Sequence, residues 1–278
     1  MTLPGEHGAL GRELGVALGL AREAGAEVLR LRTSTLAVEM KPGDEPVTAA
    51  DRAASAIIVE GLTRAFAADV VISEELPATS AQLAAPRVWL VDPIDGTKDF
   101  IRGRDGFSVM IGLLVGGRPV LGVVYQPTID RTFFATPDGG PQLLAGGSVE
   151  RLAVSDVASA GEARLVASAS HRSDDIDRVK AELGIANELN IGSVGVKLCL
   201  IAHGVRDLYV NPSAKTKAWD TCAPEAILAA AGGRLTDLHG GPIDYTRELA
   251  HRRGLVASNG HIHDEVVGKL AALFPPRA

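Results

Sequence analysis

The chain has 278 residues, 46% hydrophobic and 22% charged, which excludes a disordered, collagen-like or disulfide-stapled protein and leaves room for one large domain or two modest ones. A formal net charge of −6 excludes binding to a nucleic acid polymer or an anionic membrane through a general basic field, so any phosphate must be handled by local groups. Cys199 and Cys222 form no Cys-x-x-Cys pair and suggest neither a disulfide framework nor a thiolate zinc site. With no run of about 18 apolar residues, neither a signal peptide nor a membrane span is expected, and a reducing cytoplasm fits best.

In chain order, helical spacing of Leu10, Leu14, Leu18, Ala21, Val28 and Leu31 predicts a long amphipathic helix over Ala9 to Leu31. Thr48-Ala49-Ala50-Asp51 has the form of a capping box and predicts a second helix running through Phe66. Val70-Val71-Ile72 reads as a short strand ending at Ser73-Glu74-Glu75, and Pro77 to Pro86 as a loop. Arg87 to Val91 reads as a strand that delivers Asp92 at its carboxyl end. Phe107 to Val115, Pro119 to Tyr125 and Arg131 to Ala135 follow as antiparallel strands.

The pattern changes after the glycine-rich stretch Gly139 to Gly147. Strands are expected at Arg164 to Ala167, Glu188 to Ile191, Asp207 to Val210 and Leu255 to Ala257. Helices are expected at Asp174 to Leu183, Val196 to Ala202, Asp220 to Ala231 and Asp264 to Leu273. The fold class is therefore α/β, with an α+β first half (1–147) carrying the acidic motifs and an α/β second half (148–278) carrying Asp220 and the substrate pocket.

Asp92-Pro93-Ile94-Asp95-Gly96-Thr97 stands where an apolar strand stops and places two carboxylates in one turn. Pro93 restricts the backbone, and Gly96 permits a sharp turn from which the N–H groups of Gly96 and Thr97 can receive a phosphate. Carboxylates and a backbone carbonyl form a hard-oxygen site that suits magnesium. Taken alone, the same segment is also an ordinary Asp-Pro turn, and Asp220 and Asp51 are also ordinary helix-start acids. The spacing is not that of an EF-hand, and no Gly-x4-Gly-Lys phosphate loop is present.

Taken together, Val47-Thr48-Ala49-Ala50-Asp51, Ile72-Ser73-Glu74-Glu75, Asp92 through Thr97, Trp219-Asp220-Thr221-Cys222-Ala223-Pro224 and Ala231-Gly232-Gly233 resemble the successive motifs of the lithium-sensitive, magnesium-dependent inositol monophosphatase superfamily. The resemblance implies a layered αβαβα fold and two or three magnesium ions. By the same resemblance, Glu74, Asp92 and the Ile94 carbonyl would hold one ion, and Asp92, Asp95 and Asp220 a second. Thr97, oriented by Asp51, resembles the pair that polarises the attacking water, with Glu74 assisting and Glu75 in a lesser role.

Lys98-Asp99-Phe100, Ala167-Ser168-Ala169-Ser170-His171 and Gly192-Ser193-Val194-Gly195-Val196-Lys197 resemble the 3'(2'),5'-bisphosphate nucleotidase branch. They imply a nucleotidase that removes the 3'-phosphate of adenosine 3',5'-bisphosphate. Substrate contacts are then expected from Gly96, Thr97, Lys98, His171, Ser193, Lys197 and Asp220, with Lys197 and His171 pairing the remote phosphate. The Val-Gly-Val-Lys run departs from the Ser-Leu-Lys of many bacterial nucleotidases, which keeps an inositol monophosphatase or inositol polyphosphate 1-phosphatase as alternatives. A silent phosphate-binding relative is the non-enzyme alternative, distinguished by phosphate release with magnesium present and then chelated. Lys215, Lys217, Arg252 and Arg253 could add charge to that pocket but read mostly as solvated surface, and His261 with His263 as a polar lead-in to the last helix. The expected partner is a small phosphorylated substrate, with no nucleic acid polymer and no membrane, on a monomer or homodimer.

Overall fold

A computed structural model describes residues 8–33, 38–41, 45–169 and 173–275. Helix α1 (Gly11–Arg32) turns Leu14, Leu18, Ala21 and Val28 inward, on the face expected from their spacing. An antiparallel hairpin, β1 (Val38–Lys41) and β2 (Glu45–Thr48), follows and was not expected. Helix α2 (Ala49–Ala65) opens on the expected capping box: Thr48 N donates to Asp51 Oδ2 at 2.7 Å, and Ala50 N donates to Thr48 Oγ1 at 3.2 Å.

A seven-stranded sheet then forms in sequence order from β3 (Val70–Ser73), β4 (Arg87–Asp95), β5 (Ser108–Val115), β6 (Arg118–Gln126), β7 (Arg131–Thr136), β8 (Gly140–Ala145) and β9 (Ser148–Arg151), with a short helix α3 (Thr97–Ile101) after β4. Only β3 and β4 pair in parallel. The loop expected at Pro77 to Pro86 contains a single 3-10 turn, Ser80–Ala84. The stretch Gly139 to Gly147 is a strand and its hairpin turn rather than a change of pattern, so the first sheet continues past residue 147 to Arg151. Its glycines mask a strand too short to show alternation.

The second sheet has the order β11-β10-β12-β14-β13. It is built from β10 (Leu165–Ser168), α4 (Asp174–Leu183), β11 (Glu188–Ile191), α5 (Val194–Ala202), β12 (Leu208–Asn211), α6 (Ala218–Ala230), β13 (Arg234–Thr236), β14 (Leu255–Ser258) and α7 (His263–Leu273). Of these, only the three-residue β13 lacked a sequence signal. The α and β boundaries elsewhere fall within a few residues of the expected ones.

Packing produces the five layers implied by the sequence resemblance. Helices α1 and α2 cover one face of the first sheet, α5 and α6 fill the space between the two sheets, and α4 with α7 packs on the outer side of the second. Both faces of the first sheet are therefore buried. This explains why β5 reads as a continuous apolar run: Val109, Ile111 and Leu113 enter the core under α1 and α2, while Met110 enters the central one.

Helix α6 lies unusually close to the first sheet. Gly112 and Gly122 are cross-strand partners, and a Cβ on Gly122 would sit 2.0 Å from the Ala223 carbonyl oxygen. The absence of two side chains lets the turn that carries Asp220 press onto β5 and β6.

Candidate active site

Register brings the acids together. Parallel pairing sets Ser73 against Val91, and Glu74 N donates to Val91 O at 3.1 Å, so Glu74 follows β3 alongside Asp92. On the antiparallel side Asp92 pairs with Met110 and Asp95 with Ser108, which leaves two residues of β4 opposite one of β5. This bulge, at Pro93 and Ile94, changes the alternation of the strand. Val91 and Ile94 enter the core under α1 and α2, while Asp92 and Asp95, three residues apart, both line the cleft on the other side. The strand thus runs through the acidic motif rather than stopping before it.

Asp220 comes from α6, in its first turn. It is not the N-cap residue: it is the third residue of the helix, and its Oδ2 accepts from Lys217 N at 2.7 Å. Glu74, Asp92 and Asp220 each offer a carboxylate oxygen within 4.8 Å of the others. Asp92 is 2% exposed and its Oδ1 is buried with no hydrogen-bond partner among the described residues. Burial, followed by the charges of Glu74, Asp95, Asp220 and Asp51, pushes the Asp92 carboxyl well above its usual range. A buried orphan oxygen among converging carboxylates is a poor arrangement for a bare protein and a good fit to a hard divalent cation with oxygen ligands.

Asp95 is held differently and is not one of that triplet. Its Oδ2 accepts from Ser193 Oγ at 2.5 Å and from Gly195 N at 2.7 Å. Burial raises its pKa, against the opposing pull of Lys197 and those hydrogen bonds. Ser193 is fully buried, shares its hydroxyl with Ser108 Oγ at 2.9 Å and caps α5 through Val196 N. Ser193, expected to touch substrate, is buried behind Asp95 and is not among the residues that line the cleft.

Thr97 and Asp51 meet as expected. Thr97 Oγ1 stands 3.3 Å from Asp51 Oδ1 and 3.0 Å from the Ile94 carbonyl oxygen, within reach of either acceptor. Asp51 is 2% exposed, with its other oxygen fixed by the Thr48 N–H and hydroxyl. Gly96, with φ of 95°, turns the chain from β4 into α3 in a conformation that disfavours other residues. The expected helical turn does begin at Thr97.

Glu74, Asp92, Asp95, Gly96, Thr97 and Asp220 line one cleft of about 640 Å³ that also includes Lys98, Lys197, Asp175, Tyr209 and most of the segment Asn211 to Lys217. Lys197 is neither a solvated residue nor a projecting cation. It is 1% exposed, its Nζ donates to the carbonyls of Ile191 at 3.2 Å and Gly192 at 2.8 Å, and it lies over the Tyr209 ring. Burial draws its pKa down to about 8, against the pull of Asp95, Asp99 and Asp220. His171 lies outside the described residues.

Sequence reasoning missed the role of Asp99, quoted only as part of a motif. Its Oδ2 accepts from Gly192 N at 2.9 Å, so Asp95 at the end of β4 binds the first turn of α5 and Asp99 in α3 binds the loop before that helix. Of the four basic residues that could add charge but read mostly as solvated surface, Lys215 and Lys217 line the cleft; their position three to five residues before Asp220 was the signal that separates them. Arg252 and Arg253 are surface residues paired with Glu248 and Asp237. His261 is exposed, and His263 is buried between the Thr236 and Ser258 hydroxyls, so the two form no metal pair. Both cysteines are free and buried, and among the described residues no helix is long and apolar enough to cross a membrane.

Residues 12–273 match the inositol monophosphatase family. The chain is 39% identical over 231 residues to the 3'(2'),5'-bisphosphate nucleotidase CysQ of Salmonella typhimurium, an alignment covering 82% of this chain and 91% of that protein. It is 34% identical over 268 residues to the histidinol-phosphatase of Mycobacterium tuberculosis, covering 94% and 98%. Among solved structures, a Thermotoga maritima IMPase superposes with a TM-score of 0.81 at 27% identity, covering 94% of this chain and 98% of that one. CysQ from Bacteroides thetaiotaomicron superposes with a TM-score of 0.76 at 27% identity, covering 90% and 97%.

Proposed function

The chain belongs to the inositol monophosphatase family, and from that premise we propose that it hydrolyses the 3'-phosphate of adenosine 3',5'-bisphosphate to AMP and inorganic phosphate. The observation that carries the reading is the Glu74, Asp92 and Asp220 triplet in one cleft with Thr97, whose hydroxyl stands 3.3 Å from the buried Asp51 behind it. The nucleotidases among the relatives support the choice of substrate.

Glu74, Asp92 and the Ile94 carbonyl would hold one magnesium ion, and Asp92, Asp95 and Asp220 a second. Bound magnesium supplies positive charge that lowers the pKa of water and offsets charge on the phosphate and the departing oxygen. Thr97 and Asp51 act on the attacking water. With its own proton directed to Asp51 Oδ1, Thr97 Oγ1 presents a lone pair to the water and fixes its line of approach to phosphorus. As the new P–O bond forms and the ester P–O bond breaks, the water proton passes to Thr97 Oγ1 and the threonine proton to Asp51 Oδ1. The departing 3'-oxygen is protonated from solvent in the cleft. Gly96 and Lys98 line the wall on the phosphate side. No covalent phosphoenzyme is required, since water is the nucleophile. The setting is cytoplasmic, and lithium, competing for a magnesium position during turnover, inhibits.

A second reading is favoured by the histidinol-phosphatase likeness, which spans 94% of the chain. The test is phosphate release from adenosine 3',5'-bisphosphate, histidinol phosphate and inositol 1-phosphate, each with magnesium, with magnesium plus lithium, and with excess chelator. The proposal expects the bisphosphate to give the highest kcat/KM and chelator to abolish release. A clear preference for histidinol phosphate would transfer the assignment to the second reading.

A further inference from the structure

We propose that Lys215, Thr216 and Lys217 form the subsite for the substrate's second anionic group, the phosphate that is not cleaved. The inference rests on the bisphosphate reading above and assigns residues to it. A dianion held away from the acidic triplet needs cations of its own, because the protein carries a net charge of −6 and offers no general positive field.

Lys197 is poorly placed to be that partner. Two of its three N–H donors already serve the Ile191 and Gly192 carbonyls, and its side chain is buried under the loop it supports. Lys215 is exposed and Lys217 half-buried on the cleft wall, and among the described residues neither ammonium is in a salt bridge. Between them Thr216 also lines the cleft. It is 5% exposed, and its Oγ1 is buried with no hydrogen-bond partner among the described residues. An unpartnered buried hydroxyl is costly, and this one belongs to a cleft-lining residue that lies in sequence between two lysines.

The segment is tied by backbone bonds from Thr216 to Ala218. Lys217 bridges Ala250 in antiparallel fashion, His251 N donates to Thr216 O at 2.8 Å, and Ala218 N donates to Leu249 O at 2.7 Å. Behind it, Thr221 Oγ1 meets His251 Nε2 at 2.7 Å and Tyr245 Oη at 2.9 Å. Through the bond from Lys217 N to Asp220 Oδ2, the ribbon is joined directly to the acidic triplet. An anion bound on it therefore lies at a fixed offset from the phosphate being hydrolysed, and that offset selects among esters carrying two phosphates.

The test compares kcat/KM for adenosine 3',5'-bisphosphate and for adenosine 3'-monophosphate, which keeps the cleaved phosphate and lacks the other. Wild type, Lys215→Ala/Lys217→Ala, Thr216→Val and Lys217→Arg are measured side by side. In the double alanine variant the bisphosphate-to-monophosphate ratio is expected to fall by about tenfold, mainly through KM. Thr216→Val is expected to lower the ratio less, and Lys217→Arg to stay near wild type. A ratio unchanged in the double variant, or equal losses on both substrates, overturns the subsite and leaves the bisphosphate reading standing. A wild type that shows no preference for the bisphosphate overturns both.

Discussion

Asp95 Oδ2 accepts a hydrogen bond from Ser193 Oγ at 2.5 Å, so an acid at the end of β4 is held by the residue that caps α5. The first half of the chain supplies the carboxylate and the second half sets its orientation. Groups that orient a ligand from behind commonly change metal affinity by about 10–100-fold when removed. Ser193→Ala is expected to weaken magnesium binding within that range while Ser193→Thr weakens it less. Calorimetric titration of the metal-free protein measures this directly, and unchanged affinity in Ser193→Ala would show that Asp95 needs no such support.

The Thr97–Asp51 pair gives a second expectation. Removing a positioned proton acceptor typically costs about 10²–10⁴-fold in rate. Thr97→Ala should therefore lower kcat within that range with little change in Tm, because Thr97 is only partly buried and packs at the cleft wall. Thr97→Ser, which keeps the hydroxyl, should recover most of the activity. If Thr97→Ala turns over at the wild-type rate, the hydroxyl has no part in the chemistry.

The buried Asp92 predicts how stability depends on pH and metal. Its folded pKa lies above the unfolded value of about 4, so the folded state binds more protons than the unfolded one across that window. The contribution of Asp92 to metal-free stability therefore falls as pH rises from about 4, and magnesium, binding the ionised form, removes the penalty. In chelator, Asp92→Asn should have a higher Tm than wild type, by a margin that grows as pH rises above about 4. With saturating magnesium the order should reverse. Calorimetric Tm values in a pH series check both statements, and a margin that shrinks with rising pH would contradict the sign.

Gly122→Ala tests the close approach of α6 to the sheet. The added Cβ would lie 2.0 Å from a backbone oxygen, so a flexible side chain cannot relieve the clash and the helix must move. Overpacking of this kind costs about 1–3 kcal/mol or more. Urea denaturation should show a loss of at least that size, with weaker magnesium binding because Asp220 moves with the helix. Gly19→Ala, where no atom lies within 4 Å of the added Cβ and φ is not positive, controls for substitution at a glycine without a clash.

Much of this protein is legible in its residues one segment at a time. Helix α4 and strand β11 fall at the residues expected from spacing alone, and Thr48 with Asp51 caps α2 as the capping-box pattern requires. The acids Glu74, Asp92, Asp95 and Asp220, and the Thr97–Asp51 pair, stand in local patterns specific enough to identify the family. Such features depend on interactions within a few residues, which periodicity and capping chemistry encode directly. Short or glycine-containing strands such as β8 and β13 escaped because pairing with neighbours, not local preference, makes them strands.

Tertiary structure decided what each side chain faces. Ser193 stands in the same motif as Lys197, yet packing placed its hydroxyl behind Asp95 and buried the lysine ammonium on two carbonyls, where neither reaches outward as its motif implied. Sequence could not separate Lys215 and Lys217 from Arg252 and Arg253 as possible added charge or solvated surface; the bridge to Ala250 and the bond to Asp220 set the ribbon of the two lysines along the cleft. The sequence determined which charges the site contains, because residue type fixes charge. Only the register of β4, the bulge at Pro93 and Ile94, and the approach of α6 over Gly112 and Gly122 determined which of those charges converge, because convergence depends on backbone positions far apart in the chain.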